Sequence, residues 1–314
     1  MLDTTDAALV HELQRDGRVS YQRLSELLGI SREAARARVQ RLLQRGEVRI
    51  VGIVPPSVAG IETVAHVSLD VAGPVRAVAA MAAGRRAASF VSCTAGPQSV
   101  ITEVRVADEG ALEREFAALR AVPGVRGLEV FRCAELVRDA YSPVVAGVRA
   151  GPPPELDTTD RRLLGMLQLD GRASFTALAE RIGLSQPATR ARVLRLLEVG
   201  AVHVTGLVES RALGVREAAG VGLGVRGPAR AVAEAAAALP GVNYVASGYG
   251  RFDVVCGLDA PDRPALFTGL EAVRALPGVT RSETWVHLDI VKESYTYDLP
   301  IDQAIGSPVT PLRE

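Results

Sequence analysis

The chain is almost without lysine. Lys292 is the only one, so nearly all of its positive charge is arginine. No net charge of either sign is present, because 36 basic residues face 36 acidic ones. Any nucleic-acid surface must therefore arise from local segregation of charge. Cysteine is scarce: Cys93, Cys133 and Cys256 lie far apart with no C-x-x-C pair. That excludes a disulfide framework and suggests no zinc or other metal site, leaving three packed thiols. No apolar run approaches the roughly 18 residues of a membrane span, and the opening Met-Leu-Asp-Thr-Thr-Asp lacks the basic-then-apolar layout of a signal peptide. A cytoplasmic protein with no membrane partner is expected.

What is present is a globular composition, 48% hydrophobic and 23% charged, over 314 residues, enough for two or three domains. The chain is written twice. Residues 2–54 and 156–208 align without a gap at an offset of 154, with about 28 of 53 positions identical. The offset also carries Gly73-Pro74 onto Gly227-Pro228, Pro123-Gly124-Val125 onto Pro277-Gly278-Val279, and Tyr141 onto Tyr295. The seam runs through Gly147 to Glu155, where Gly-Pro-Pro-Pro favours a stiff extended linker.

Each copy opens with a helical block. Asp3 or Thr4 caps a helix carrying Leu9, Val10 and Leu13, and Asp16-Gly17 stops it. Ser20 or Tyr21 starts a second, short helix that ends at Gly29, and Ser31 caps a third running to about Arg45. On that third helix Ala35, Val39, Leu42 and Leu43 form an apolar stripe. Ala34, Ala37, Arg38, Arg41 and Arg45 fall on the far side, with Arg36 at the flank. From Ser31 to Arg49 six arginines stand against two glutamates. Val48, Ile50 and Gly52 predict a following strand able to act as a wing.

A short helix, a glycine turn and a capped basic helix is the arrangement that sets a helix into the DNA major groove. Candidate DNA-binding residues are Ser31, Arg32, Arg36, Arg38 and Arg41 in the first copy. In the second they are Ser185, Gln186, Thr189, Arg190, Arg192 and Arg195. Arginines neutralise phosphates and fork onto guanine edges. Because Arg32 becomes Gln186, Glu33 Pro187 and Ala35 Thr189, the copies are expected to read different bases, or one of them to read weakly.

The second block alternates strands and helices. In the second copy Ala218–Val225, Val242–Ala246, Asp253–Leu258 and Thr284–Lys292 read as strands, with helices after Gly227-Pro228 and over Ala265–Leu276. The order βαββαβ is ferredoxin-like, with a free sheet face that invites a dimer. Gly222-Leu223-Gly224-Val225-Arg226-Gly227 matches G-x-G-x-x-G, but its first two glycines lie within the expected strand. Small residues filling a strand face explain them better than a dinucleotide site, and no cofactor is expected. His11, His66, His203 and His287 are scattered, and no nucleophile, base and orienting group form a catalytic set.

Leu-Ser-Glu-Leu-Leu-Gly-Ile-Ser with Arg-Val-Gln-Arg-Leu-Leu, followed by βαββαβ, resembles the Lrp/AsnC family of leucine-responsive, feast/famine transcriptional regulators, over nearly the whole chain and twice. The resemblance implies an α+β fold: a tandem repeat of a winged helix-turn-helix domain and a ferredoxin-like α/β domain. The boundaries are 1–54 and 63–142, a linker at 143–155, then 156–208 and 217–298, and a tail at 299–314 that acts as an appendage or strap. It also implies double-stranded promoter DNA as a partner, homo-oligomers, and an amino acid or related metabolite as effector. Gly250-Arg251-Phe252-Asp253 resembles the family's G-x-[YF]-D turn, and Glu283-Thr284-Trp285 with Lys292 its last strand, which implies effector binding by Gly248, Gly250, Arg251, Phe252, Asp253 and Thr284. An aspartate suits a ligand ammonium, and glycines admit a ligand close to the backbone. In the first copy Asp253 becomes Ser99, Thr284 becomes Val130 and Lys292 becomes Arg138, while Gly250 is kept as Gly96, so that pocket reads as degenerate.

The expected function is a DNA-binding regulator acting as a fused pseudo-dimer, not an enzyme. Two other readings stand beside it. Sirohaem decarboxylases are similar in architecture, and in that case Arg251 and Arg281 would meet substrate carboxylates. A ligand sensor without DNA binding is the other.

Overall fold

A computed structural model describes residues 2–139, 154–208, 212–297 and 299. The first block folds as α1 (Thr4–Arg15), α2 (Tyr21–Leu28) and α3 (Arg32–Gln44), followed by β1 (Val48–Ile53). Asp3, Ser20 and Ser31 each accept a backbone N–H from the first turn of their helix. Gly29 takes the left-handed conformation (φ 64°) that ends α2 and turns the chain into α3. Leu9, Leu13, Leu24, Val39 and Leu42 close the core between the three helices.

Next come β2 (Thr63–Val71), α4 (Val75–Ala83), β3 (Ala88–Ala95), β4 (Val100–Val106), α5 (Glu109–Arg120) and β5 (Val125–Asp139). The second half repeats the series: α6 (Thr158–Leu169), α7 (Phe175–Ile182), α8 (Gln186–Glu198) and β6 (His203–Val208). It then continues with β7 (Glu217–Val225), α9 (Ala229–Ala237), β8 (Val242–Gly250), β9 (Val254–Ala260), α10 (Arg263–Arg274) and β10 (Val279–Glu293). The expected βαββαβ order is present in both halves, with the last strand starting five residues before the Thr284 anticipated. Residues 140–153, which include Tyr141 and most of the expected linker, and all of the expected tail except Leu299, lie outside the described residues. Leu299 and Tyr297 pack against the core of the second helical block.

Each four-stranded sheet packs its two helices on one face, over clusters centred on Val67, Val91 and Leu112 in the first half and Val221, Val245 and Leu270 in the second. The face left free meets its counterpart within the same chain. The last strand of each half pairs antiparallel with the second strand of the other, β5 with β8 and β10 with β3, closing an eight-stranded barrel in the order β10-β3-β4-β2-β5-β8-β9-β7. Closure leaves this sheet no edge.

The strand expected to be a wing has a different role. β1 is buried except at Arg49 and pairs antiparallel with β6, Val48 opposite Val208 through Ile53 opposite His203. Val204 and Val208 complete the first helical core, while Val54, Val58 and Ala59 complete the second. The G-x-G-x-x-G match also resolves: Gly222 and Gly224 lie in β7, and a Cβ on Gly222 would meet the Phe252 ring at 2.5 Å.

Candidate nucleic-acid interface and effector region

Ser31 and Ser185 cap the third helix of each block by accepting the N–H of Ala34 and Ala188. Beyond the caps, Arg32 and Arg36 on α3, and Gln186 and Arg190 on α8, are exposed. They stand clear of the ion pairs that tie the helices of each block together. Of the expected contact residues on α3 and α8, these are exposed without taking part in an ion pair between the helices.

The other expected arginines, partly exposed, are engaged by carboxylates of the first helix of each block. Arg38 donates to Asp3 (2.7 Å) and Asp6 (2.8 Å), and Arg41 holds both oxygens of Asp6 (3.1 and 2.8 Å). The second copy repeats the clamp: Arg192 donates to Asp157 (2.7 Å) and Asp160 (2.9 Å), and Arg195 pairs with Asp160. The Arg38 hydrogen bond holds the Asp3 carboxyl below its ordinary value. Asp6 and Asp160 are buried, so each carboxylate requires its guanidinium partners. Arg38, Arg41, Arg192 and Arg195 are thus helix clamps rather than free phosphate contacts. Thr189 is also corrected: it is wholly buried and its hydroxyl donates to the Ser185 carbonyl (3.0 Å).

Around the Gly-Arg-Phe-Asp turn the expected effector residues are engaged with the protein itself. A Cβ on Gly248 would collide with the Arg132 carbonyl and one on Gly250 (φ 119°) with that of Val130, so the barrel seam itself requires these glycines. Arg251 donates to both oxygens of Glu283 (2.8 and 2.7 Å) and pairs with Glu129. Phe252 is buried against Trp285. One Asp253 oxygen accepts the Val225 N–H (2.8 Å), and Thr284 accepts from Arg274 (3.2 Å). The cavity beside Arg251 and Phe252 is only about 10 Å³. Tyr249 and Gly250 are the exposed part of the turn.

Sequence reasoning missed the barrel interior. Glu103, almost wholly buried on β4, accepts from Arg105 (2.5 Å), Ser89 (2.7 Å) and the Tyr244 hydroxyl (2.9 Å), with His66 Nε2 at 3.1 Å. Arg105 also meets Tyr297 and, at 3.7 Å, Asp139. Burial works to raise the Glu103 carboxyl, but Arg105, His66 and Ser89 outweigh it and hold it well below the usual range. His287 reaches Ser92 (2.9 Å) through Nδ1, and burial together with nearby His66 depresses it to about 4. The signal was a Glu-x-Arg pair inside the apolar run Val100–Val106. The two histidines, 221 positions apart, gave none.

Two helix-turn-helix units and two ferredoxin-like sheets thus alternate along one chain. The AsnC-type helix-turn-helix model matches residues 2–43 and 156–197. An uncharacterized regulator of this type from Pyrococcus abyssi is 32% identical over 131 residues, covering 41% of this chain and 83% of its own. The regulator Rv2324 of Mycobacterium tuberculosis is 35% identical over 136 residues, covering 42% and 92%. The chain belongs to the Lrp/AsnC family of helix-turn-helix transcriptional regulators. Among solved structures, the sirohaem decarboxylase NirDL superposes with a TM-score of 0.68 over 93% of both chains at 15% identity, a likeness of fold. Among the described residues no helix is long and apolar enough to cross a membrane.

Proposed function

We propose that this chain acts on DNA as a fused pseudo-dimer, reading two related but non-identical half-sites with α3 and α8. The observation that carries this reading is the outward pair Arg36 and Arg190 at equivalent positions on two capped helices, whose blocks are locked together by the β1–β6 pairing. The different neighbours, Arg32 against Gln186, supply the difference between half-sites. Arg32, Arg36, Gln186 and Arg190, with the backbone donors beside Ser31 and Ser185, form the DNA contact set.

An amino acid or related metabolite is the proposed effector. Its site is the exposed edge of the 248–253 turn, Tyr249 and Gly250, completed by a second copy of the chain, since this turn on its own encloses almost no space. Ligand would act by favouring one arrangement of assembled chains.

The test is a salt-titrated binding assay on the DNA upstream of the protein's own gene and on a randomised pool. Specific binding that weakens steeply with salt supports the reading. Absence of specific binding to either, by folded protein, removes it. The sirohaem-decarboxylase reading has only the shared fold on its side, and a bound tetrapyrrole chromophore in the purified protein would put it first.

A further inference from the structure

A cavity of about 120 Å³ lies inside the barrel, and the exposed Ile290 and Glu293 belong to its lining, so it opens to the surface there. Phe90, Ile101, Val255 and Trp285 give it apolar walls. The charged side chains around it are already partnered. Arg105 meets Glu103 and Asp139, and Glu103 also holds Tyr244 and His66. Glu293 accepts from the Tyr295 hydroxyl (2.5 Å), and Asp259 is likewise engaged. A ligand bringing a charge of its own would bury it with no counter-ion to meet it. A dry cavity of about 150 Å³ takes up benzene, so this space suits an uncharged body of about six or seven heavy atoms.

One polar atom of the lining is left over. His287 stands on β10, which pairs with β3, and its Nδ1 lies 2.9 Å from the Ser92 hydroxyl. That hydroxyl has a single hydrogen and gives it to a backbone carbonyl, that of Cys93 (3.1 Å) or Asp289 (3.2 Å). Ser92 therefore accepts from His287, which sets the Nδ1–H tautomer and leaves Nε2 as a bare acceptor. Burial keeps the imidazole neutral at physiological pH. Nε2 has no hydrogen-bond partner among the described residues and, unlike the sealed Nε1 of Trp285, keeps accessible surface. His287 lines the cavity, so that surface is where a donor can reach it.

We propose that the barrel cavity binds a small uncharged hydroxyl compound, a phenol or a cyclic alcohol, whose O–H donates to His287 Nε2 while its ring rests on the apolar walls. A free amino acid is excluded, because its two charges would find no partners inside. The site is separate from the 248–253 turn and does not rest on the DNA reading.

Calorimetric titration of the full-length protein at neutral pH tests this with phenol, with toluene, which has the same shape and no donor, and with pentanoate, which has similar size and a charge. Saturable binding of phenol is expected, with toluene at least about fivefold weaker for want of the hydrogen bond, and no binding of pentanoate. His287→Phe keeps a ring beside Phe90 but has no acceptor, and should bring phenol down to the affinity of toluene. Ala218→Leu, at a half-buried position that lines the cavity, should fill it and abolish binding of both. In protein with native circular dichroism, absence of saturable phenol binding overturns the proposal. Toluene binding as tightly as phenol, saturable binding of pentanoate, or wild-type phenol affinity in either variant does so too. None of these readouts uses DNA, so the two readings fail separately.

Discussion

Arg18 and Arg172 stand at equivalent positions in the two halves, and each reaches into the other half. Arg18 donates to the Ala173 carbonyl (3.0 Å), and Arg172 donates to those of Gly17 (2.5 Å) and Val19 (2.6 Å). Each guanidinium also lies 5.2 Å from the centre of an aromatic ring of the opposite block, Phe175 for Arg18 and Tyr21 for Arg172. The adjoining Gly17 and Gly171 donate their N–H to Val204 and Ile50 across the same seam, both at 2.8 Å. The repeated Asp-Gly-Arg triplet therefore braces the two helical blocks against each other.

Removing the brace should loosen the two blocks. Arg172→Ala leaves two carbonyls without a partner and is expected to lower stability by about 1–3 kcal/mol. Gly171→Ala places a Cβ 2.7 Å from Val204 Cγ1 and 2.9 Å from the Val51 carbonyl carbon, and should be at least as damaging. Denaturant unfolding measures both. An unchanged midpoint for both variants would mean that the strand pair alone holds the blocks.

Exposed and clamped arginines should separate cleanly. Arg36→Ala and Arg190→Ala are expected to weaken DNA binding about tenfold or more, with unchanged melting temperature. Each should also reduce the salt slope by roughly one for every phosphate the arginine had neutralised. Arg41→Ala should instead lower the melting temperature, since it strips a partner from buried Asp6. The partial exposure of Arg41 limits the cost to about 1–3 kcal/mol. Parallel binding isotherms and thermal melts decide this, and a melting loss in Arg36→Ala would contradict the assignment.

Acid should destabilise the barrel in two stages. Burial holds His287 at about 4 against an ordinary 6.5, so between those values the unfolded chain takes up the proton first. Stability then falls as pH drops from about 6.5 to 4, by up to about 3 kcal/mol at roughly 1.4 kcal/mol per unit, and this part is flat below 4. Glu103, held low by Arg105 and His66, is stabilising above its unfolded value near 4.5, and that stabilisation is lost on further acidification. His287→Gln should shrink the first stage to the part due to His203, which burial also lowers, and leave the second. Denaturant midpoints across pH 3.5 to 7.5 would show it, and an unaltered slope from 6.5 to 4.5 in the variant would refute the assignment.

The thiols should be inert in the native protein. Burial raises Cys133 and Cys256 to about 12 and also raises Cys93. Alkylation by iodoacetamide at pH 8 is expected to be slow for all three and to become complete on unfolding, as mass spectrometry would record. Rapid native labelling of Cys256 would show that the barrel opens.

The helices were legible because their causes are local. Ser31 caps three residues ahead, Gly29 admits the left-handed turn, and the Leu and Val spacing marks the buried face. Sorting the arginines by role was not legible. Arg38 and Arg36 differ by two positions on one helix, and only the position of α1 makes the first a partner of Asp6. Gly248 and Gly250 were read as room for a ligand, yet the strand that comes against them, β5, belongs to the other half.

By itself the sequence determined the duplication, the capped helices, the βαββαβ order and the family. All of these follow from short-range spacing and from residues matched along the chain. Only the tertiary structure decided that the two free sheet faces close on each other, that β1 and β6 pair instead of standing as wings, and that His66, Glu103, Tyr244 and His287 share one interior. Those outcomes depend on groups more than a hundred residues apart coming within hydrogen-bond reach, which no local pattern encodes.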